Sequence, residues 1–254
     1  MPRKILGVIP ARFGSTRFPG KVLALLSSKT VLQHVYERAC QSRYLSDIII
    51  ATDDKRVYEA ARSFGARVRM TRADHVSGTD RVAEVVSTEE AAGDEGAAVV
   101  VNIQGDEPLI DPAAIDAAIL PLFHDSEVVM ATLKKKIEDP REIDDPNVVK
   151  VVANHAGDAI YFSRCAIPYT REQDGAWFKH IGLYVYRRDF LLGYSRLPVG
   201  PLERAERLEQ LRALENGYPI RVIETDYESL GVDTPEDLER VSRLFEASMM
   251  PGVN

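Results

Sequence analysis

A doubly wound, mostly parallel α/β sheet is the fold class this sequence predicts, and three observations carry the prediction. Short apolar strands alternate with amphipathic helical stretches from Ile5 to Phe123, the pattern that yields parallel sheets with right-handed crossovers. The runs DIIIAT (47–52) and AAVVVNIQ (97–104) are almost continuously apolar, as in strands buried on both faces of a parallel sheet. The first strand, Ile5 to Ile9, then breaks into a cationic loop bearing glycine and proline, within GVIPARFGSTRFPGK. Ligands in such sheets lie beyond the carboxyl ends of the strands, where this loop would sit.

The elements follow in order. Thr30 to Arg43 places Val31, Leu32, Val35, Tyr36, Ala39 and Cys40 on one helical face. After the strand 47–52, Asp54 to Phe64 is helical, with Val57, Ala60, Ala61 and Phe64 inward and Gly65 as its stop. Arg67 to Met70 is a short strand, and Thr79 to Ala92 a helix ending at Gly93. Strand 97–104 leads to Pro112, which opens a helix from Ala113 to Phe123 that Pro121 should shorten or kink. The loops Pro10–Lys21, Asp53–Asp54, Arg72–Gly78 and Gly105–Pro108 would share the ligand edge.

The middle of the chain changes character. Val128–Leu133, Val148–Ala153, Ala159–Ser163 and His180–Tyr186 read as strands without a long helix between them. Asn154 to Asp158 is turn chemistry joining two of them. Residues 134–177 read as an inserted, smaller β-rich subdomain of a single domain spanning 1–254; it would cover the ligand, mediate self-association, or both. Leu202 to Glu215 reads as one helix with Leu208, Leu211 and Leu214 on its apolar side, and Ile220–Glu224 as a strand. Thr234-Pro235-Glu236-Asp237 opens the last helix, with Thr234 as N-cap and Pro235 at the first position.

Composition narrows the function classes. A 254-residue chain with 45% hydrophobic and 28% charged residues suits one large soluble domain. A net charge of −7 argues against non-specific nucleic-acid binding, which needs a basic surface. Cys40 and Cys165 are the only cysteines and form no C-x-x-C, so a zinc site or disulfide framework is not expected and a cytoplasmic setting is. No run reaches membrane-spanning length, so no membrane insertion is expected.

The chemistry concentrates in few places. Arg12, Ser15, Arg17 and Lys21 sit among Gly14, Pro19 and Gly20. Arginines grip phosphate oxygens as planar forks, lysine acts as a point charge, and backbone N–H groups of such a loop form an anion cradle. A solvated βα loop would carry the same charges, but the set favours a nucleoside triphosphate. The ATPase phosphate motif is absent: five residues separate Gly14 from Gly20, and Val22 follows Lys21. Any metal ligands must therefore come from elsewhere. Asp106, in QGDEP after a buried strand, is the first candidate for magnesium, which takes few protein carboxylates and completes its shell with phosphates. Asp233, in GVDT before a capped helix, is the second, although helix-terminal charge complementarity would account for it almost as well. Ser77, Gly78 and Thr79 could present backbone groups to a base or simply cap a helix. Arg164, His180, Glu209 and Gln210 are polar residues in or beside apolar elements, and each has an ordinary structural explanation.

Taken together, IPARFGSTRFPGK (9–21), ATDD (51–54), His75 to Arg81, NIQGDEP (102–108), HIGLY (180–184), LEQLR (208–212) and GVDTP (231–235) resemble the CMP-Kdo synthetases, the 3-deoxy-manno-octulosonate cytidylyltransferases. The resemblance covers nearly the whole chain in order, with Phe13 and Phe18 where many members have Tyr and Leu. It implies a nucleotidyltransferase-like fold and the reaction of CTP with Kdo to give CMP-Kdo and pyrophosphate, for the lipopolysaccharide inner core. It implies that Arg12, Ser15, Arg17 and Lys21 hold the triphosphate, and that Arg72, Ser77, Gly78 and Gln104 surround cytosine and ribose. Asp106 and Asp233 would bind Mg2+; with Arg12 and Lys21 they would form the catalytic set. Arg164, His180, Tyr184, Glu209 and Gln210 would line the Kdo pocket, and the protein would be a homodimer. CMP-sialic acid synthetases share the P-A-R opening and the P-G-K end but usually carry a glycine- and lysine-rich middle. A non-catalytic nucleotide-sugar binding protein is the alternative of another class; retention of both aspartates argues against it.

Overall fold

The structure is a computed structural model that describes residues 4–91, 97–171 and 175–249. Strand β1 (Ile5–Pro10) is followed by a 3-10 turn (Lys21–Leu23) and a minimal hairpin, β2 (Leu25–Leu26) and β3 (Lys29–Thr30). Then come α1 (Val31–Ala39), β4 (Asp47–Thr52), α2 (Lys55–Ser63), β5 (Arg67–Met70), α3 (Gly78–Ala91), β6 (Val99–Asn102) and α4 (Pro112–His124). The chain continues through β7 (Met130–Lys136), α5 (Arg141–Asp144), β8 (Lys150–Ala153), β9 (Ala159–Ser163), β10 (Phe178–Arg187), α6 (Arg188–Tyr194), α7 (Pro201–Glu206), α8 (Leu211–Glu215), β11 (Arg221–Glu224) and α9 (Pro235–Met249).

The fold is α/β with mostly parallel strands, and the chain divides into two compact units, residues 1–115 with 229–254 and residues 116–228. In the first unit four strands run parallel in the order β6-β1-β4-β5. The chain builds outward from β1 to β4 and β5, then returns to the other side of β1 for β6. That reversal puts a topological switch point between β1 and β6, where a crevice opens beyond the strand ends. The strands are apolar because both faces are covered: Val8, Ile9, Ile50 and Val99 to Val101 are fully buried. Helix ends are set by local chemistry. Thr30 Oγ1 accepts from Gln33 N at 3.2 Å and Asp54 from Arg56 N at 2.8 Å.

In the second unit β11 pairs parallel with β7, β7 antiparallel with β10, and β10 antiparallel with β8, which forms a hairpin with β9.

Two expectations need correction. Of the two effects expected of Pro121, shortening or kinking, the shortening does not occur: α4 runs to His124, and Pro121 lies in the last turn, so only one late intrahelical bond is lost. The single helix expected over 202–215 is two helices, because Arg207 adopts the left-handed conformation at φ 52°. The break lets Leu208 turn inward and the Glu209 carbonyl accept from the Tyr194 hydroxyl at 2.6 Å. The stop expected at Gly93 lies outside the described residues.

Candidate functional site

The loop after β1 turns on two features. Phe13 O accepts from Ser15 N at 3.0 Å and Gly20 N at 2.8 Å, folding the loop back on itself. Gly20 has φ 75°, and a Cβ there would lie 2.9 Å from the Phe13 ring; glycine meets both demands. The Arg56 guanidinium covers the Phe13 ring at 3.4 Å and is itself paired with Asp54.

Asp233 is brought to this loop by packing. Leu26, Val31, Val232 and Val241 form a buried cluster, with Phe18, Leu230, Leu238 and Phe245 against it. This cluster ties the end of the loop to α9. Val232 N also donates to Asp106 O at 2.9 Å, stitching the segment before α9 to the loop after β6. Thr234 caps α9: its Oγ1 accepts from Asp237 N at 3.2 Å, while the Asp237 carboxylate accepts from Thr234 N at 3.0 Å.

Lys21 Nζ donates to Asp106 Oδ2 at 2.5 Å and to Asp233 Oδ1 at 2.6 Å, and Arg17 donates to Asp233 Oδ2 at 2.7 Å. Burial works against charge on both Lys21 and Asp233, but their pairing outweighs it. Lys21 is held above its ordinary range by the two carboxylates, and Asp233 below its ordinary range by Lys21 and then Arg17.

A cleft of about 360 Å³ opens here, lined by Arg12, Gly14, Ser15, Thr16, Arg17 and Lys21 from the loop, by Gly78 and Arg81, and by Gln104, Gly105, Asp106 and Asp233. Arg12, Ser15, Arg17, Lys21, Gly78, Gln104, Asp106 and Asp233 are thus together, at the β1/β6 switch point. Gly105 allows the close approach, since a Cβ would stand 2.8 Å from the Pro10 carbonyl oxygen.

Two expected nucleotide residues stand outside this lining. Arg72 pairs with exposed Asp74 at 2.9 Å. Ser77 caps α3, accepting from Asp80 N at 3.1 Å. One charged lining residue went unassigned: Arg81 is 1% exposed, donates to Asp53 at 2.9 Å and to Thr71, and still borders the cleft. An arginine inside an amphipathic helix reads as solvated; only its pairing with Asp53, far away in sequence, reveals a buried cation.

The expected sugar residues lie in the second unit. His180 and Tyr184 sit together on β10, ring centroids 5.4 Å apart, with Phe162 5.0 Å from the imidazole. Burial pushes the His180 pKa down to about 3. Burial, and then the Glu209 charge, holds the Tyr184 phenol well above its ordinary range. Gln210 is buried beside Glu209 at the start of α8. Arg164 braces the chain, donating through Nε to Glu206 O at 2.7 Å and through Nη1 to Pro146 O at 2.8 Å.

The two carboxylates that converge on one ammonium suit a divalent cation. Among the described residues no cluster of three or more His, Cys, Asp or Glu could hold a metal alone. An ion here would take Asp106 and Asp233 and complete its shell with phosphate and water oxygens, which is how magnesium is usually bound.

Residues 6–225 match the Cytidylyltransferase family. The chain is 75% identical over 255 residues to a 3-deoxy-manno-octulosonate cytidylyltransferase of Solibacter usitatus, covering 100% of this chain and 99% of that one. It is 53% identical to the enzyme of that name from Geobacter metallireducens, over 94% of this chain and 96% of the relative. A solved CMP:2-keto-3-deoxy-manno-octonic acid synthetase, complexed with CTP, superposes with a TM-score of 0.91 at 44% identity, covering 97% of this chain and 100% of that one. The chain therefore belongs to the cytidylyltransferase family, among its 3-deoxy-manno-octulosonate cytidylyltransferases.

Proposed function

We propose that this protein transfers CMP from CTP to Kdo, giving CMP-Kdo and pyrophosphate for lipopolysaccharide synthesis. The observation that carries the reading is the meeting of Lys21, Asp106 and Asp233 in one cleft at the switch point. The anomeric hydroxyl of Kdo attacks the α-phosphorus in line, and pyrophosphate leaves on the opposite side. Both substrates are anions, so their repulsion must be offset before they meet.

Arg12, Ser15, Arg17 and Lys21 bind the triphosphate and stabilise charge that builds on the transferring group. Arg72, Ser77, Gly78 and Gln104 surround cytosine and ribose, and Arg164, His180, Tyr184, Glu209 and Gln210 hold Kdo, fixing the attack geometry. Asp106 and Asp233 hold Mg2+, which when bound supplies Lewis-acid charge neutralisation at phosphate oxygens. Their shared ammonium supports this assignment: the same carboxylate pair already accommodates a cation.

The enzyme works as a cytoplasmic homodimer, with residues 134–177 as an inserted subdomain serving sugar binding, dimerisation or both. Exposed Ile160 and Tyr169 in that segment support a contact role. No helix among the described residues is long and apolar enough to cross a membrane.

Pyrophosphate release tests the reading. It should require CTP, Kdo and magnesium together. Release with sialic acid in place of Kdo would move the assignment to the sialic acid branch, and nucleotide binding without release would identify a sensor.

A further inference from the structure

Strand β10 slips register against β7: Ile181 faces Leu133, and Tyr184 faces Thr132. This irregularity turns two carbonyls toward one side chain. Thr132 Oγ1 lies 3.0 Å from Ile181 O and 2.8 Å from Leu183 O. The same oxygen lies 2.9 Å from His180 Nε2, and Thr132 is fully buried.

A threonine hydroxyl carries one proton and accepts through its lone pairs. If that proton pointed at His180, the oxygen's lone pairs would face two carbonyl oxygens in a dry site, and neither carbonyl would gain a donor from it. A buried polar group left without a partner costs roughly 1–3 kcal/mol. If the hydroxyl donates to the carbonyl pair and accepts from His180, the conflict disappears. The imidazole must then carry its proton on Nε2. Phe162 and Tyr184 pack around the ring, and desolvation keeps it neutral. Nδ1 has no hydrogen-bond partner among the described residues, so its lone pair remains available.

We propose that Thr132 is a positioning residue for sugar recognition: its buried hydroxyl, oriented by the Ile181 and Leu183 carbonyls, fixes His180 as the Nε2–H tautomer and leaves Nδ1 to accept a hydrogen bond from a sugar hydroxyl. The sugar part rests on the reading above that His180 lines the Kdo pocket. On this assignment His180 contributes no positive charge toward the sugar carboxylate. It selects a hydroxyl donor, which a protonated histidine at the same place would not do.

The test is nitrogen NMR of the full-length protein labelled with 15N-histidine. The chain has five histidines, and the His180 signals are those lost in His180→Gln. Wild type should show a protonated Nε2 and a bare Nδ1 near neutral pH. Thr132→Ser should keep that signature, while Thr132→Val should shift His180 toward the other tautomer. Val should also raise KM for Kdo about tenfold, the loss of one hydrogen bond, with KM for CTP unchanged. An imidazolium or an Nδ1–H tautomer in wild type would overturn the proposal, as would a folded Thr132→Val protein with an unchanged spectrum. If the valine variant does not fold, the wild-type and serine spectra decide. The spectra need no substrate, so absence of Kdo turnover would remove the sugar role separately from the tautomer assignment.

Discussion

Asp106 and Asp233 accept hydrogen bonds from a single ammonium, that of Lys21, at 2.5 and 2.6 Å. One carboxylate follows the strand nearest the switch point and the other precedes the last helix. The shared cation makes them one electrostatic unit. Asp106→Asn and Asp233→Asn should each lower the rate of pyrophosphate release on the order of 10²-fold or more, the loss expected when transition-state charge stabilisation falls by several kcal/mol. Near-normal turnover in either variant would remove that residue from the metal site.

The same unit sets a pH dependence. Asp233 is depressed below its ordinary 3.8, so its ion pairing contributes fully above that pH and is lost as pH falls through the lower folded-state value. Lys21 is raised above 10.5, so its contribution is full below that pH and is lost as pH rises through the folded-state value. Denaturant titration of wild type against Asp233→Asn should give a stability gap that is flat between about pH 5 and about pH 9 and closes at both extremes. The gap should be small, because the Asp233 side chain is 43% exposed and solvent screens it. A gap that narrows between pH 7 and pH 5 would mean that Asp233 titrates above its ordinary value.

Gly105 and Gly78 offer a steric contrast within one cleft. A Cβ at Gly105 would meet the Pro10 carbonyl at 2.8 Å, whereas at Gly78 it would meet Pro10 Cγ at 3.6 Å, an ordinary contact. Gly105→Ala should therefore destabilise by about 1–3 kcal/mol and raise KM for CTP. Gly78→Ala should stay within about 0.5 kcal/mol of wild type in folding stability. Urea midpoints measure both; equal midpoints would mean that the β1 and β6 loops are looser than their packing indicates.

Arg207 provides a test at the break between α7 and α8. A non-glycine residue in the left-handed region costs roughly 1–2 kcal/mol, and Arg207 occupies it at φ 52°. Arg207→Gly should raise stability by up to about 1 kcal/mol, part of the relief being offset by the freer unfolded chain. A clear loss of stability would show that the arginine side chain makes a contribution larger than its backbone strain.

These residues also mark how far the sequence could be read. The cationic character of loop 10–21 was legible because glycine, proline and basic residues stand at close spacing there, and the place of Asp106 because it follows a continuously apolar strand. Thr234 and Asp237 announced the start of α9 through their capping pattern. The break at Arg207 had no such sign: arginine favours helix, and only the tertiary demand to bury Leu208 and satisfy Tyr194 turns it left-handed. Arg81 was hidden for a related reason, since its partners Asp53 and Thr71 belong to other segments. The β2–β3 hairpin consists of strands two residues long, too short for any alternation to appear.

The joint role of Asp106 and Asp233 can be seen in a crystal structure with CTP and magnesium. One cation should touch both the Asp106 and Asp233 carboxylates and the triphosphate, with Lys21 turned from the carboxylates toward phosphate oxygens. A metal held by phosphates and water alone, with both aspartates still paired to Lys21, would contradict it.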